Sequence, residues 1–328
     1  MRAVLCTQFG GADMLTMADL AAPKAGPGEV VVAVAAAALN FFDTLLIEGR
    51  YQVRPPFPFS PAGELAGVVC EVGPGVTTLQ RGDRVAGFIG HGAAREQVVA
   101  PAERLVRIPA ELDFMRAAGL SVTYGTTLHA LRNRARLQAG ESLVVLGASG
   151  GAGLAAVEIG RQLGARVIAC ASSEEKLAFA RKHGAEVGIN YETVDLKEAV
   201  MRATEGRGAD VVYDPVGGRH AVAALRSLAW RGRHLVIGFA AGTIPQLPLN
   251  HVLLKEREVL GVYWGGWAEQ DPQGCRADLE QIFAWCAAGT LSGHVDAVYP
   301  LEEAAAALHA IAARKVRGKV VLQVSAEI

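Results

Sequence analysis

Leu143-Val144-Val145-Leu146-Gly147-Ala148-Ser149-Gly150-Gly151-Ala152-Gly153 is the stretch on which the fold turns. Four apolar residues in a row read as a buried strand. Leu154, Val157, Ile159 and Leu163 then recur at helical spacing, so the glycines occupy a strand-to-helix turn. Glycines at 147, 150, 151 and 153 depart from a strict G-x-G-x-x-G, yet the strand–turn–helix context is the one that motif requires. A turn without Cβ atoms lets phosphate oxygens approach backbone N–H groups at the positive end of a helix. Ser149, Gly150, Gly151 and Ala152 are therefore candidates to hold a dinucleotide pyrophosphate. A glycine-rich turn with no ligand is the alternative.

Around this stretch strands and helices alternate. Apolar runs at 167–170, 187–190, 210–214, 234–238 and 259–263 read as further strands, with helices expected over 174–183 and 221–229. Such alternation means βαβ units and a parallel sheet, and six strands match an α/β, doubly wound, Rossmann-type sheet. Residues 1–110 instead read as short strands with Gly/Pro punctuation, a β-rich pattern. The tail, with Gly318-Lys319-Val320-Val321-Leu322, resembles that first part. The expected organisation is a β-rich domain in two pieces, 1–120 and 266–328, with the dinucleotide-binding unit 121–265 inserted between them.

Composition narrows the function classes. The 328 residues carry 32 Lys plus Arg and 33 Asp plus Glu, a net charge of −1 that argues against a nucleic-acid partner. The five cysteines (Cys6, Cys70, Cys170, Cys275, Cys286) are odd in number and form no C-x-x-C, which fits a reducing, cytoplasmic setting. No apolar stretch approaches the ~20 residues of a membrane span, and no secretory h-region follows Met1-Arg2. Eight histidines include no pair at metal-ligand spacing, so no metal is expected.

Cofactor choice is read at the end of the second strand. An NAD site expects an acid there to hold the ribose 2′-OH, but the chain has Cys170-Ala171-Ser172-Ser173. Ser172 and Lys176 could hold a 2′-phosphate, which predicts NADPH. Ser172-x-x-Glu175 is also a capping box, and Lys176 a solvated helix charge, on the other reading.

The chain resembles the medium-chain dehydrogenase/reductase superfamily, in its zinc-free quinone oxidoreductase branch. The matching stretches are Asn40-Phe41-Phe42-Asp43, Gly63-Glu64-Leu65-Ala66-Gly67-Val68-Val69, Gly82-Asp83-Arg84-Val85, Thr123-Tyr124-Gly125-Thr126, Gly150-Gly151-Ala152-Gly153 and Gly318–Leu322, in family order and spacing. The resemblance implies that the β-rich part is a GroES-like catalytic domain. Zinc-dependent relatives carry a metal-ligand Cys where this chain has Asn40 and a His where it has Gly63. Without that Lewis acid, alcohol oxidation is disfavoured, and hydride transfer to an electron-poor acceptor stays feasible through proximity and alignment.

The resemblance implies an NADPH-dependent quinone reductase. The alternatives are reduction of a 2-enone or enoyl-CoA, and a crystallin-like, non-catalytic NADPH-binding protein. It places Asn40 near nicotinamide and acceptor, although an Asn after a strand also suits a turn. Asp43 and Arg50 are explained as well by ion pairing. Tyr51 matches a pocket tyrosine, with a packed tyrosine as the alternative. Thr126 matches a nicotinamide contact or caps a helix. Tyr191 is expected beside the adenosine phosphate, and Gly238 and Phe239 at the end of the fifth strand by the ribose. Tyr263, Trp264 and Gly265 are expected at the end of the sixth, by the carboxamide; Phe239, Tyr263 and Trp264 could equally be interface core. Lys319 either reaches the cofactor or is a surface ion-pair lysine. The sixth strand ends the sheet, and relatives pair that edge, so a homodimer is expected.

Overall fold

The computed structural model describes residues 1–325; the last three residues of the expected 266–328 segment lie outside the described residues. The chain divides into two compact units. One comprises Met1–Val122, Ala268–Gly289 and the chain from Gly293 on; the other comprises Thr123–Trp267 and Thr290–Ser292.

The second unit is built on a six-stranded parallel sheet. Across the sheet the strands run Val187–Asn190, Arg166–Ala171, Ser142–Leu146, Ala209–Asp214, Leu228–Val236 and Glu258–Gly261. This is the doubly wound order, whose direction reverses between Ser142–Leu146 and Ala209–Asp214. Leu143, Val144, Val145 and Leu146 are each fully buried, as a central parallel strand covered on both faces must be. Burial of such side chains stabilises the sheet by about 1.5–3 kcal/mol each.

Several boundaries differ from the sequence expectation. The helix expected over 221–229 stops at Arg226, because Leu228 already begins the fifth strand, which ends at Val236 rather than Gly238. The sixth strand ends at Gly261, so Trp264 and Gly265 belong to a helix, Trp264–Gln270. Ser173, not Ser172, caps the helix Glu174–Lys182, its hydroxyl accepting from Lys176 N at 3.3 Å.

A buried carboxylate anchors the helix Gly151–Gln162 from its polar side. Glu158 accepts from Tyr124 Oη at 2.7 Å, Ser292 N at 3.1 Å and the Ser292 hydroxyl, and it pairs with His183 Nδ1 at 2.6 Å. Burial opposes its ionisation, but the bonds to His183, Ser292 and Tyr124 outweigh it and hold the carboxyl below its ordinary range.

The other unit is β-rich. A seven-stranded sheet centres on the eleven-residue strand Glu29–Leu39, longer than the 30–34 run suggests because Ala35–Ala38 continue it. Those small side chains suit a crowded position: the strand pairs with Glu64–Val72, Gln97–Pro101 and Lys319–Gln323. Gly67 shows how close the strands come, since a Cβ there would lie 2.1 Å from Ala33 O. Two short helices, Phe41–Ile47 and Phe114–Ala118, interrupt what the sequence suggests is only strand and turn. The same unit holds the two-stranded sheet of Arg2–Leu5 and Thr16–Asp19, the helices Pro272–Ala287 and Ala304–Ala312, and the strand Val295–Pro300. Among the described residues no helix is long and apolar enough to cross a membrane.

Candidate active site

In the β-rich unit, strand register assembles a polar cluster. Ala38 pairs with Glu64, and Leu39 pairs with Val320. Asn40, Glu64 and Lys319 therefore converge at one end of three neighbouring strands. Asn40 Nδ2 donates to Glu64 Oε2 at 2.7 Å; Lys319 Nζ donates to Asn40 Oδ1 at 2.6 Å and to Glu64 Oε2 at 2.7 Å. The other Glu64 oxygen accepts from Val122 N at 2.6 Å. Glu64 and Lys319 are buried while Asn40 is half-buried. Lys319 is thus not a surface ion-pair lysine; two of its three ammonium donors go to Asn40 and Glu64.

Asn40 is also the residue before the helix Phe41–Ile47, and its backbone N–H donates to Asp43 Oδ2 at 2.7 Å. Asp43 Oδ1 accepts from Ala62 N at 3.1 Å. Burial pushes the Asp43 carboxyl up to about 7, against the pull of the Asn40 N–H, the Lys319 charge and the Ala62 N–H; the Glu64 charge adds to the rise. Tyr51 stacks on Phe42 at 5.4 Å between ring centres, and Phe88 meets Phe42 edge-on at 6.0 Å. Arg50 is exposed and pairs with Glu48 at 3.0 Å.

In the other unit the glycine turn has the conformation its sequence demands. Gly147 has φ +62, which suits glycine. A Cβ on Gly153 would sit 2.1 Å from Gly147 O, so turn and helix meet only because that atom is absent. Gly150 precedes the helix Gly151–Gln162 and no side chain caps it, leaving the first-turn N–H groups for an anion. A Cβ on Gly150 would meet only Gly147 O, at 3.6 Å. Ser149 is buried within the turn.

At the end of the neighbouring strand Arg166–Ala171, Lys176 Nζ donates to Ser172 Oγ at 3.1 Å. Asn190 pairs with Ala171, and Tyr191 N donates to Ala171 O, which puts Tyr191 alongside Ser172. The Tyr191 ring lies 4.3 Å from that of His220. Ser172, Lys176 and Tyr191 are thus brought together. Gly238 and Phe239 follow the fifth strand and lie over the loop after Asp214: Gly238 N donates to Asp214 O at 3.4 Å, and a Cβ on Gly217 would strike the Phe239 ring at 2.9 Å. Tyr263 is exposed, whereas Trp264 is buried against Gly125, beside Thr126 in the helix Ser121–Leu128. Thr126 therefore stands inside a helix and is not its cap.

Sequence reasoning missed Glu64 as a site residue, although it lies in a quoted motif. It also missed Asp214, whose Oδ1 accepts from Val216 N at 2.9 Å and Gly217 N at 2.7 Å and whose Oδ2 lies 3.2 Å from His234 Nε2. An acid closing a buried strand just before Gly217-Gly218 was the available signal.

Residues 26–110 match the model of the alcohol dehydrogenase GroES-like domain, and residues 151–285 that of the zinc-binding dehydrogenase family. Quinone oxidoreductase-like protein 2 of Rattus norvegicus is 39% identical over 322 residues, 98% of this chain and 91% of that protein. The chain belongs to the quinone oxidoreductase branch of the medium-chain dehydrogenase/reductase superfamily. As a member of that branch it is an oxidoreductase. Two solved structures agree with this chain over nearly their whole length. Escherichia coli quinone oxidoreductase complexed with NADPH has 27% identity and a TM-score of 0.91, covering 99% of this chain and 100% of that one. A 2-haloacrylate reductase has 32% identity and a TM-score of 0.87 over 99% and 100%. One of the two matched family models is named for zinc; among the described residues no group of three or more His, Cys, Asp or Glu could hold a metal ion.

Proposed function

We propose that this chain is an NADPH-dependent quinone reductase. The residues fit that cofactor: a helix opened by Gly150 without a side-chain cap, and a serine–lysine pair at the adjacent strand end. The N–H groups of Gly151 and Ala152, with the Ser149–Gly150 turn, would hold the pyrophosphate. Ser172 and Lys176 would hold the 2′-phosphate, with Tyr191 beside them, while Gly238 and Phe239 flank the ribose. Bound reduced nicotinamide supplies a hydride, and with one proton from water a quinone becomes the hydroquinone. On the acceptor side, Asn40 would donate from Nδ2 to the acceptor oxygen, with the Tyr51–Phe42 stack two residues along the chain from it. Thr126, Tyr263, Trp264 and Gly265 remain proposed contacts of the nicotinamide end.

The observation that carries NADPH is the 3.1 Å contact between Lys176 Nζ and Ser172 Oγ, at a strand end whose residues 170–173 include no carboxylate. Support for a quinone comes from the named relatives and from the flat aromatic stack beside Asn40. The 2-haloacrylate reductase favours a second reading, an α,β-unsaturated carbonyl acceptor, which would use the same donor on its carbonyl oxygen. Oxidation of NADPH at 340 nm with quinones, enones and enoyl thioesters separates the two. Turnover with quinones supports the first reading; turnover with unsaturated carbonyls alone transfers it to the second.

We also propose a homodimer. The strand Glu258–Gly261 is an edge of its sheet, and Leu249, Leu253 and Leu254 nearby in sequence are exposed by 68–78%. Gel filtration at twice 34.4 kDa supports this, and elution as the monomer contradicts it.

A further inference from the structure

The buried charges around Asn40 need an explanation. An ion pair taken out of water gains little for the fold, because desolvation offsets the attraction. Yet Glu64 and Lys319 are both buried and paired at 2.7 Å, with the lysine stem packed where a Cβ on Gly119 would stand 3.1 Å from its Cγ. Besides the backbone N–H of Val122, the pair holds the half-buried carboxamide of Asn40.

A carboxamide can turn over by 180° with little change of shape, exchanging donor for acceptor. Here it is held in one sense. An ammonium only donates, so Oδ1 must face Lys319; an ionised carboxylate only accepts, so Nδ2 must face Glu64. The reversed amide would set oxygen against carboxylate and NH₂ against ammonium. Glu64 is itself fixed by Val122 N. One Nδ2 hydrogen is used on Glu64, leaving the other for a ligand.

We infer that Glu64 and Lys319 are positioning residues, which lock the Asn40 amide and polarise it through Oδ1, so that its remaining N–H is a preorganised donor to the acceptor oxygen as that oxygen gains negative charge. The inference rests on the proposed place of Asn40 in quinone reduction. A positive charge on the amide oxygen strengthens donation from the amide nitrogen, and a donor that need not reorganise favours the charged transition state over the neutral quinone.

The test uses the full chain, NADPH and a series of 1,4-quinones of falling reduction potential. For K319M, kcat falls about 10–100-fold, most for the weakest oxidants, so log kcat depends more steeply on potential. The NADPH dissociation constant, read by fluorescence, stays within about threefold, and K319R recovers most of the rate. E64Q is nearly isosteric and is the second variant should K319M not fold. Lys319 still holds Oδ1, so the amide loses one of its two anchors, and the same slope steepens less than for K319M. A uniform loss across all quinones, matching a loss of folded protein, or unchanged rates in folded variants would overturn the inference while leaving quinone reduction intact. Wild-type protein that binds NADPH but reduces no quinone would remove the functional reading, and this inference with it.

Discussion

Asn40 and Glu64, 24 residues apart in the chain, are joined by a 2.7 Å hydrogen bond from the amide Nδ2 to a carboxylate oxygen that also accepts from Lys319. The resemblance implies that zinc-dependent relatives place metal-ligand residues at the positions of Asn40 and Gly63. This chain has built an organic hydrogen-bonding cluster from the same strand ends.

Asn40→Ala removes the proposed donor while leaving the glycine turn untouched. We expect kcat/KM for a quinone to fall about 10²–10³-fold, the scale of a lost oxyanion donor, with NADPH affinity changed less than about threefold. Steady-state kinetics with a fluorescence titration checks both. An unchanged kcat/KM would remove Asn40 from the mechanism.

Asp43 should make stability fall as pH rises. Its carboxyl is raised from 3.8 to about 7 in the folded protein, so between those values the native state holds a proton that the unfolded chain has lost. The contribution is fully present below pH 3.8 and is gone above 7. Linkage limits it to about 4 kcal/mol. Chemical denaturation of wild type and Asp43→Asn from pH 4.5 to 8 should show the wild type losing stability relative to the variant. A constant difference would mean that Asp43 is ionised throughout.

Lys176→Ala should discriminate between the two nicotinamide cofactors. A charge-assisted bond to phosphate contributes about 1.5–3 kcal/mol, so kcat/KM for NADPH should drop about 10–100-fold while that for NADH hardly moves. Equal losses for both would mean that Lys176 supports the helix rather than a 2′-phosphate.

Gly153 and Gly150 should respond differently to alanine. At 153 the new Cβ would lie 2.1 Å from Gly147 O; at 150 its only close neighbour is that oxygen at 3.6 Å, on a backbone with φ −79. Gly153→Ala should cost at least about 1–3 kcal/mol of stability, and Gly150→Ala should fold as wild type. Thermal melts decide it, and equal melting temperatures would refute the packing argument.

The parts of this molecule legible in its sequence are those with local causes. Leu143–Leu146 and the glycines after it declare strand, turn and helix because apolar runs and missing Cβ atoms act within a few residues. The helix Phe41–Ile47 was hidden: its first turn is aromatic and continues directly from a strand, and its cap draws on Asp43. The Ser172-x-x-Glu175 box pointed to the wrong serine, because the helix begins one residue later and Ser173 accepts from Lys176 N. Lys319 and Glu64 stand 255 residues apart, so nothing local marks Lys319 as buried or names its partner. The Asp214–His234 pair likewise depends on two strands being neighbours in the sheet.

The most direct test is the initial rate of absorbance loss at 340 nm for purified protein with a simple 1,4-quinone, NADPH and NADH compared at equal concentrations. Turnover is expected with NADPH at a kcat/KM at least about tenfold above that with NADH, the discrimination one phosphate contact can supply. No quinone-dependent oxidation of either cofactor, or a preference for NADH, would contradict it.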